Sequence, residues 1–130
     1  MDASRVADVQ ALRDLPAEEL EILANAMAAV EVEAGTQVLG RDDLGTAAYF
    51  IEQGEAEVVG DAESAAEVLG PGDVFGEIGL LLTGERTATV VARTPLRLLS
   101  LSGQDFDRIR SDVPEAERKL RALGLERSAH

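Results

Sequence analysis

Cysteine is absent from the sequence, and histidine occurs once, as His130. Without cysteine, the chain can form no disulfide, no thiolate nucleophile and no cysteine-ligated zinc or iron–sulfur site. A single histidine also argues against a catalytic histidine and against a multi-histidine metal site. We therefore expect a protein that is not an enzyme, has no catalytic residues and binds no metal.

Long apolar runs and a secretory signal are also missing. No stretch approaches the roughly 20 apolar residues that a helix needs to span a bilayer, and the first residues do not have the charged, apolar and small-residue regions of a signal peptide. We therefore expect a cytoplasmic protein that makes no membrane contact through this chain.

Basic side chains are few and unevenly placed. The chain has 12 Lys and Arg residues against 25 Asp and Glu, a net charge of −13. Residues 1–85 hold 19 of the acids and 3 of the bases, whereas residues 86–130 hold 6 acids and 9 bases. Nucleic acids and anionic membranes bind clustered cations, so we expect no direct nucleic-acid partner. Between Arg41 and Arg93 the one basic side chain is Arg86, which makes this residue a candidate anion ligand.

Length and composition favour one folded domain, residues 1–130. The chain is 45% hydrophobic and 28% charged, as is typical of a globular domain. Its 130 residues are enough to bury a core without disulfides or metals.

Helical segments are predicted at the N-terminus, over about residues 4–28. The first covers residues 4–13 and the second residues 16–28, where apolar residues recur at helical spacing. Pro16 suits the first helical position, and the acidic residues Glu18 and Glu19 suit the positive end of the helix dipole. We expect these helices to cover the rest of the domain.

Short strands are predicted from about residue 30 to residue 101. They alternate with turn residues at intervals of roughly ten residues, which is typical of a β-sandwich or a rolled β-barrel. The spacing leaves the strand order open. The predicted strands are residues 30–32, 38–39, 47–51, 56–58, 65–69, 88–92 and 96–101.

Helices return at the C-terminus, over about residues 103–124. Ser102 and Asp105 have the spacing of a helix N-cap, which predicts a helix over residues 103–111. A second helix is predicted to begin at Pro114 and to stop at Gly124. The organisation is therefore helix, β-roll, helix: an α+β fold that is mainly β.

An apolar segment bracketed by glycines interrupts the strands between residues 72 and 89. Ile78 and the leucines after it are too crowded to alternate, so they suit a short helix that begins near Gly76. Free backbone N–H groups at a helix start favour an anion. Arg86 can give a phosphate two parallel hydrogen bonds, Thr87 adds a hydroxyl, and the Glu77 carboxylate can accept from a sugar hydroxyl. The segment therefore indicates a site for a nucleotide monophosphate.

The same segment resembles a known family. The resemblance covers about residues 15–124 and is carried by Phe75-Gly76-Glu77-Ile78-Gly79-Leu80-Leu81, by Arg86-Thr87-Ala88-Thr89, and upstream by Ala34-Gly35, Gly45, Tyr49-Phe50-Ile51 and Gly54. The chain is similar to cyclic nucleotide-binding domains, with the closest likeness to the cytoplasmic domains of bacterial cyclic-nucleotide-regulated potassium channels. The stretch from residue 75 to residue 89 corresponds to the phosphate-binding cassette of that family.

The resemblance implies a fold and a ligand. The fold would be an eight-stranded β-roll, a jelly-roll-like barrel, with N-terminal helices, a short cassette helix and C-terminal lid helices. The ligand would be cAMP or cGMP, with cAMP the more frequent in bacterial relatives, and the chain would be a sensor module that regulates an output domain or a partner protein.

The resemblance also implies a role for each site residue. Arg86 would bind the exocyclic phosphate oxygens, and Glu77 the ribose 2′-hydroxyl. The remaining cassette ligands would be Gly76, Ile78, Gly79, Thr87 and Ala88. Val58 and Leu69 would wall the base, and Arg121 would stack on it from the last helix.

Other interpretations stay open at this point. Glu85 replaces the proline that usually precedes the cassette arginine, which favours a β-roll interaction domain that has lost its nucleotide. Arg86 could be a surface arginine paired with Glu85 or Glu77, and Arg121 could simply face water near a helix end. A metal-dependent barrel enzyme lacks the histidines it would need. A DNA-binding regulator with this sensor fold would need a helix-turn-helix domain beyond the lid helix, and a net charge of −13 is wrong for binding DNA.

Overall fold

The fold was analysed in a computed structural model, which describes residues 1–39, 47–59, 67–75 and 89–128. Two helices stand at the N-terminus, α1 (Ala3–Ala7) and α2 (Ala17–Ala26), with a 3-10 turn at Gln10–Leu12 between them. Eight strands follow in the described ranges. They are β1 (Ala28–Val32), β2 (Gln37–Leu39), β3 (Ala48–Gln53), β4 (Ala56–Val59), β5 (Glu67–Leu69), β6 (Val74–Phe75), β7 (Thr89–Ala92) and β8 (Leu96–Leu101). The chain continues with α3 (Gly103–Ile109), a 3-10 turn (Arg110–Asp112) and α4 (Pro114–Ser128).

The first predicted helix is broken, so the prediction of one helix over residues 4–13 was wrong. Helix α1 ends at Ala7, and Val9 has an extended backbone with φ −77° and ψ 121°. Val6, Val9 and Leu12 are all buried and recur every third residue. Val6 lies in α1, Val9 in the extended link and Leu12 in the 3-10 turn, so the chain changes direction at Val9 instead of continuing as one helix. The break therefore lets all three side chains enter the core.

The second helix is shorter at both ends than the predicted range 16–28. Pro16 is the N-cap rather than the first helical residue, and Met27 is already extended. Ala28 begins β1, where it pairs with Ser100 of β8. Ala28, the last residue of the predicted helix, therefore belongs to a strand instead.

The strands form two four-stranded antiparallel sheets. The first sheet has the order β1-β8-β3-β6 and the second the order β2-β7-β4-β5. The eight-stranded β-roll is confirmed. Within the described ranges the two sheets stay open, with no ladder that closes them into a barrel.

The first sheet separates two apolar clusters, because alternate side chains of a strand point to opposite faces. On one face Phe50, Leu99 and Leu101 pack with residues of the helices, such as Phe106 and Leu120. On the other face lie Ile51, Phe75, Leu96 and Leu98, in one cluster with Ala56, Leu69, Val90 and Ala92 of the second sheet. The domain is therefore layered as helices, first sheet and second sheet.

Strand β6 was not predicted as a strand, since its two residues are too few to show alternation. It follows a turn in which Gly72 has a φ of +93° and the Asp73 carboxylate accepts from the Gly70 N–H at 2.8 Å. Val74 and Phe75 then pair with Phe50 and Tyr49 of β3. The turn thus brings the start of the predicted cassette onto the first sheet.

At the C-terminus, the Ser102 cap is confirmed, because its hydroxyl accepts from the Asp105 N–H at 3.1 Å. The predicted stop at Gly124 was wrong, since α4 continues to Ser128. One glycine costs a helix only about 1 kcal/mol relative to alanine, and the residues around it are mostly good helix formers. None of the helices in the described ranges is long and apolar enough to cross a membrane.

Candidate functional site

Strands β4 and β5 bring together the two residues predicted to wall a base. Ala56 is opposite Leu69 and Val58 is opposite Glu67 in their register. Directly opposed residues of an antiparallel pair share a face, and so do residues two apart on one strand. Val58 and Leu69 therefore lie on the inner face of the second sheet, which faces the first sheet.

Exposure along this face changes in steps. Ala56 and Leu69 are 0% and 3% exposed. In the next pair, Val58 is half-buried and Glu67 is exposed. Solvent therefore reaches the inner face at the second pair but not at the first. Most small-molecule sites are concave and largely apolar. This partly open apolar face therefore suits a flat apolar group of a ligand.

Glu67 is a candidate site residue that the sequence analysis missed. The register puts it on the same face as Val58 and Leu69, although it is charged and exposed. Its position two residues before Leu69 was the available signal, because a strand repeats its face every second residue.

A pair of aromatic rings lies where β6 leads into the predicted cassette. Tyr49 and Phe75 are cross-strand partners with ring centroids 5.3 Å apart and an angle of 22° between the ring planes. Phe75 is buried, and Tyr49 is half-buried in the same cluster as Val58 and Leu69. The stack fixes the position of Phe75, the residue immediately before Gly76.

The predicted phosphate ligands lie outside the described residues, and so does Glu85. Their roles stay predictions. They are Gly76, Glu77, Ile78, Gly79, Arg86, Thr87 and Ala88.

Arg121, the predicted lid residue, lies on α4, where it is bonded within its own helix. Its Nη2 donates to Glu117 Oε1 at 2.9 Å, one helical turn earlier. Among the residues that the structure describes, Glu117 is its one hydrogen-bonding partner. The neighbouring Leu120 belongs to the helical cluster, whereas Val58 and Leu69 belong to the cluster between the sheets.

Glu117 is the centre of a small charged network. The same Oε1 atom accepts from Arg110 Nη2 at 2.6 Å, and the Arg110 guanidinium lies 5.2 Å from the centre of the Phe106 ring. Hydrogen bonds from Arg110 and then Arg121 hold the pKa of Glu117 below its ordinary value. The bond to Glu117 likewise raises the pKa of Arg110. The spacing of four between Glu117 and Arg121 was a signal for this pair that the sequence analysis did not use.

Across the described ranges, no group of three or more His, Cys, Asp or Glu side chains could hold a metal ion. What the structure presents instead is an apolar wall with one open end.

These layers and this wall define a β-roll domain covered by helices on one side. The family model described as the cyclic nucleotide-binding domain matches residues 29–112, which is more than half of the chain. The chain belongs to the cyclic nucleotide-binding domain family, and the resemblance found in the sequence is confirmed.

Relatives in this family come from different kinds of protein. The chain is 40% identical to a cAMP-dependent protein kinase regulatory subunit of Yarrowia lipolytica over 82% of its own length and 28% of that protein. It is 34% identical to a provisionally named potassium channel protein of Rhodopseudomonas palustris, over 92% of its length and 30% of that protein. The chain therefore spans less than a third of either relative.

A solved structure shows the same fold. The regulatory domain of Toxoplasma gondii PKA, crystallised with cAMP, matches 98% of this chain and 49% of that one, with a TM-score of 0.80 and 22% identity. The order of helices and strands and their layers are thus shared with a domain of known structure.

Proposed function

We propose that this chain is a non-enzymatic sensor domain that binds a 3′,5′-cyclic nucleotide, with cAMP preferred over cGMP. The observation that carries the proposal is the half-open wall of Val58 and Leu69, which shares a cluster with Tyr49 and Phe75. This cluster leads directly into the segment that holds Arg86. Apolar wall and phosphate ligands would thus be side by side, as a nucleotide requires.

The phosphate end of the site is formed by the cassette residues. Arg86 donates two parallel hydrogen bonds to the exocyclic phosphate oxygens, and its charge stands alone in an acidic region. The amides of Gly76 and Gly79 and the Thr87 hydroxyl complete the cradle, with Ile78 and Ala88 beside them. Glu77 accepts from the ribose 2′-hydroxyl, which a 3′,5′-cyclic phosphate leaves free.

The base end of the site uses the wall and the last helix. The purine lies against Val58 and Leu69, and Arg121 stacks on its other face when the helix closes as a lid. Closure converts binding into a change that an output domain or partner protein can sense. The preference for cAMP is supported by the 40% identity to a cAMP-dependent protein kinase regulatory subunit. A single domain over residues 1–130 and a cytoplasmic location stay predictions.

Calorimetric titration with cAMP and with cGMP tests the proposal. We expect wild type to bind cAMP more tightly than cGMP. Arg86→Leu should weaken binding at least tenfold, because charge-assisted hydrogen bonds to the phosphate are lost. Arg93→Leu is the matched control, since Arg93 is an exposed arginine on the same half of the chain, and it should bind as wild type does.

Thermal melts give a second measurement. A nucleotide at a hundredfold excess over its dissociation constant should add about 2.7 kcal/mol to the free energy of unfolding. A folded wild type that neither binds nor is stabilised at high micromolar nucleotide would refute the proposal. That result would favour the interaction domain without a ligand, for which Glu85 is the sequence feature.

A further inference from the structure

We propose that Glu117 holds Arg121 on its own helix and that a bound nucleotide must take the guanidinium from this carboxylate. Glu117 would thereby set the affinity of the sensor without touching the ligand. The inference rests on the proposed function, in which Arg121 reaches the base.

One carboxylate oxygen of Glu117 has two arginine partners. Glu117 Oε1 accepts from Arg121 at 2.9 Å and from Arg110 at 2.6 Å, so two guanidinium groups share it. Glu117 is 23% exposed and Arg121 42% exposed. The arginine is the more accessible partner and can leave while the carboxylate stays.

Arg110 anchors the carboxylate. Its guanidinium also lies over the Phe106 ring and donates to Asp107 at 3.4 Å. Phe106 is fully buried, so this end of the network is fixed to the core. Arg121 has no such second contact among the described residues. Of the two arginines, Arg121 is therefore the one free to move.

The two contacts proposed for Arg121, the ion pair with Glu117 and the stacking on the base, are similar in strength. An ion pair at the protein surface is weak, and so is a cation–π contact with a partly exposed ring. Two arrangements of nearly equal free energy form a switchable element, which small changes in either partner can bias. The bond to Glu117 therefore opposes nucleotide binding by an amount that substitutions can change in both directions.

Two single substitutions should have opposite effects. Glu117→Gln removes the charge that holds Arg121, so cAMP should bind about two- to fivefold more tightly. Arg110→Gln removes the competing guanidinium, so Arg121 becomes the one charged donor to Glu117 Oε1 and their ion pair becomes stronger. cAMP should then bind about twofold more weakly. In an Arg121→Ala background, neither substitution should change the affinity.

Calorimetry with cAMP on the full chain measures all of these variants, with melts to verify folding. The control is Glu115→Gln, which removes the same charge from the same helix but frees Arg118, its partner at 3.2 Å. The loss of any carboxylate weakens the repulsion of an anionic ligand, and this control measures that general effect. Glu115→Gln should bind cAMP within twofold of the wild-type affinity. The opposite sign of Arg110→Gln provides a second test should Glu117→Gln fold poorly.

The outcomes separate this inference from the proposed function. A wild type that binds cAMP, with Glu117→Gln no tighter than Glu115→Gln, overturns the inference alone. An effect of Glu117→Gln that persists without Arg121 also overturns it. A folded wild type that binds no cyclic nucleotide overturns the proposed function and this inference with it.

Discussion

The Glu19 carboxylate of α2 caps the first turn of α4 by accepting from the Ala116 backbone N–H at 2.8 Å. Its other oxygen accepts from the Glu115 N–H at 3.3 Å. Glu19 is only 6% exposed. The first N–H groups of a helix have no partner within the helix, and a negative charge there is favoured by the helix dipole. Helix α2 thus fixes the start of the helix that carries Glu117 and Arg121.

Replacement of Glu19 should therefore destabilise the domain. Glu19→Gln keeps the shape but has one acceptor oxygen, and its amide group would face a backbone donor. We expect the free energy of unfolding to fall by about 1–3 kcal/mol, the cost of an unsatisfied buried polar group. Urea denaturation measures this loss. Glu18→Gln, on the exposed side of the same first turn, should change stability by less than about 0.5 kcal/mol. Equal losses in both variants would contradict a capping role for Glu19.

Gly54 and Gly35 should respond differently to alanine although both have positive φ angles, +95° and +88°. A Cβ at Gly54 would lie 2.3 Å from the Pro95 carbonyl oxygen, whereas at Gly35 nothing lies within 4 Å. Gly35→Ala should cost only the backbone strain, about 1–2 kcal/mol. Gly54→Ala should cost at least about 1 kcal/mol more, in the range of overpacked core sites. Denaturant midpoints measure both, and equal midpoints would show that the loop that holds Pro95 moves aside without cost.

The stability provided by Glu117 should depend on pH. Arg110 and Arg121 hold its pKa below the ordinary value of 4.5. The charged form is therefore favoured by folding, so its contribution is fully present above the ordinary pKa and is lost as pH falls through the lowered one. At pH 7, Glu117→Gln should be less stable than wild type by about 0.5–1 kcal/mol.

The measurement is a series of thermal melts of both proteins between pH 7 and pH 3. The two melting temperatures should converge in acid, because the wild-type carboxyl is then neutral too. A difference in melting temperature that stays constant over this pH range would show that the two proteins differ in stability because of packing and not because of charge.

Much of the fold could be predicted because the information is local. Strand β3 is rich in strand-forming residues, Ala56 and Val58 of β4 alternate with acidic residues, and Ser102 has the spacing of a cap. The order of strands could not be predicted, since Ala28 pairs with Ser100 across most of the chain. Glu19 was placed correctly in the first turn of its own helix. Its contact with Ala116, 97 residues away, cannot be predicted from the local sequence pattern around either residue.

The candidate site was predictable to a different degree at each end. Val58 and Leu69 follow from the resemblance, and the register shows that they share a face. Arg121 was placed on the right helix, but its partner depends on how α3 and α4 meet. The bond from Arg110 to Glu117 spans the 3-10 turn and the start of α4. Helical periodicity alone predicts the contact of Glu117 with Arg121 and not the one that anchors it.

Val58 and Val68 offer the sharpest comparison for the proposed base site. Both are valines on the β4–β5 pair, but Val58 lies on the inner face and Val68, 43% exposed, is opposite Glu57 on the outer face. Val58→Ala should weaken cAMP binding about three- to tenfold, because the base would lose apolar contact area. Val68→Ala should leave the affinity unchanged.

Calorimetry measures both variants, at a temperature well below their melting points so that any loss of stability does not affect binding. If both variants weaken binding equally, the effect comes from the sheet as a whole. If Val58→Ala binds as wild type does, the inner face of the second sheet is not the wall of the site. Because the two substitutions remove the same atoms from opposite faces, only direct contact with the base predicts a loss confined to Val58.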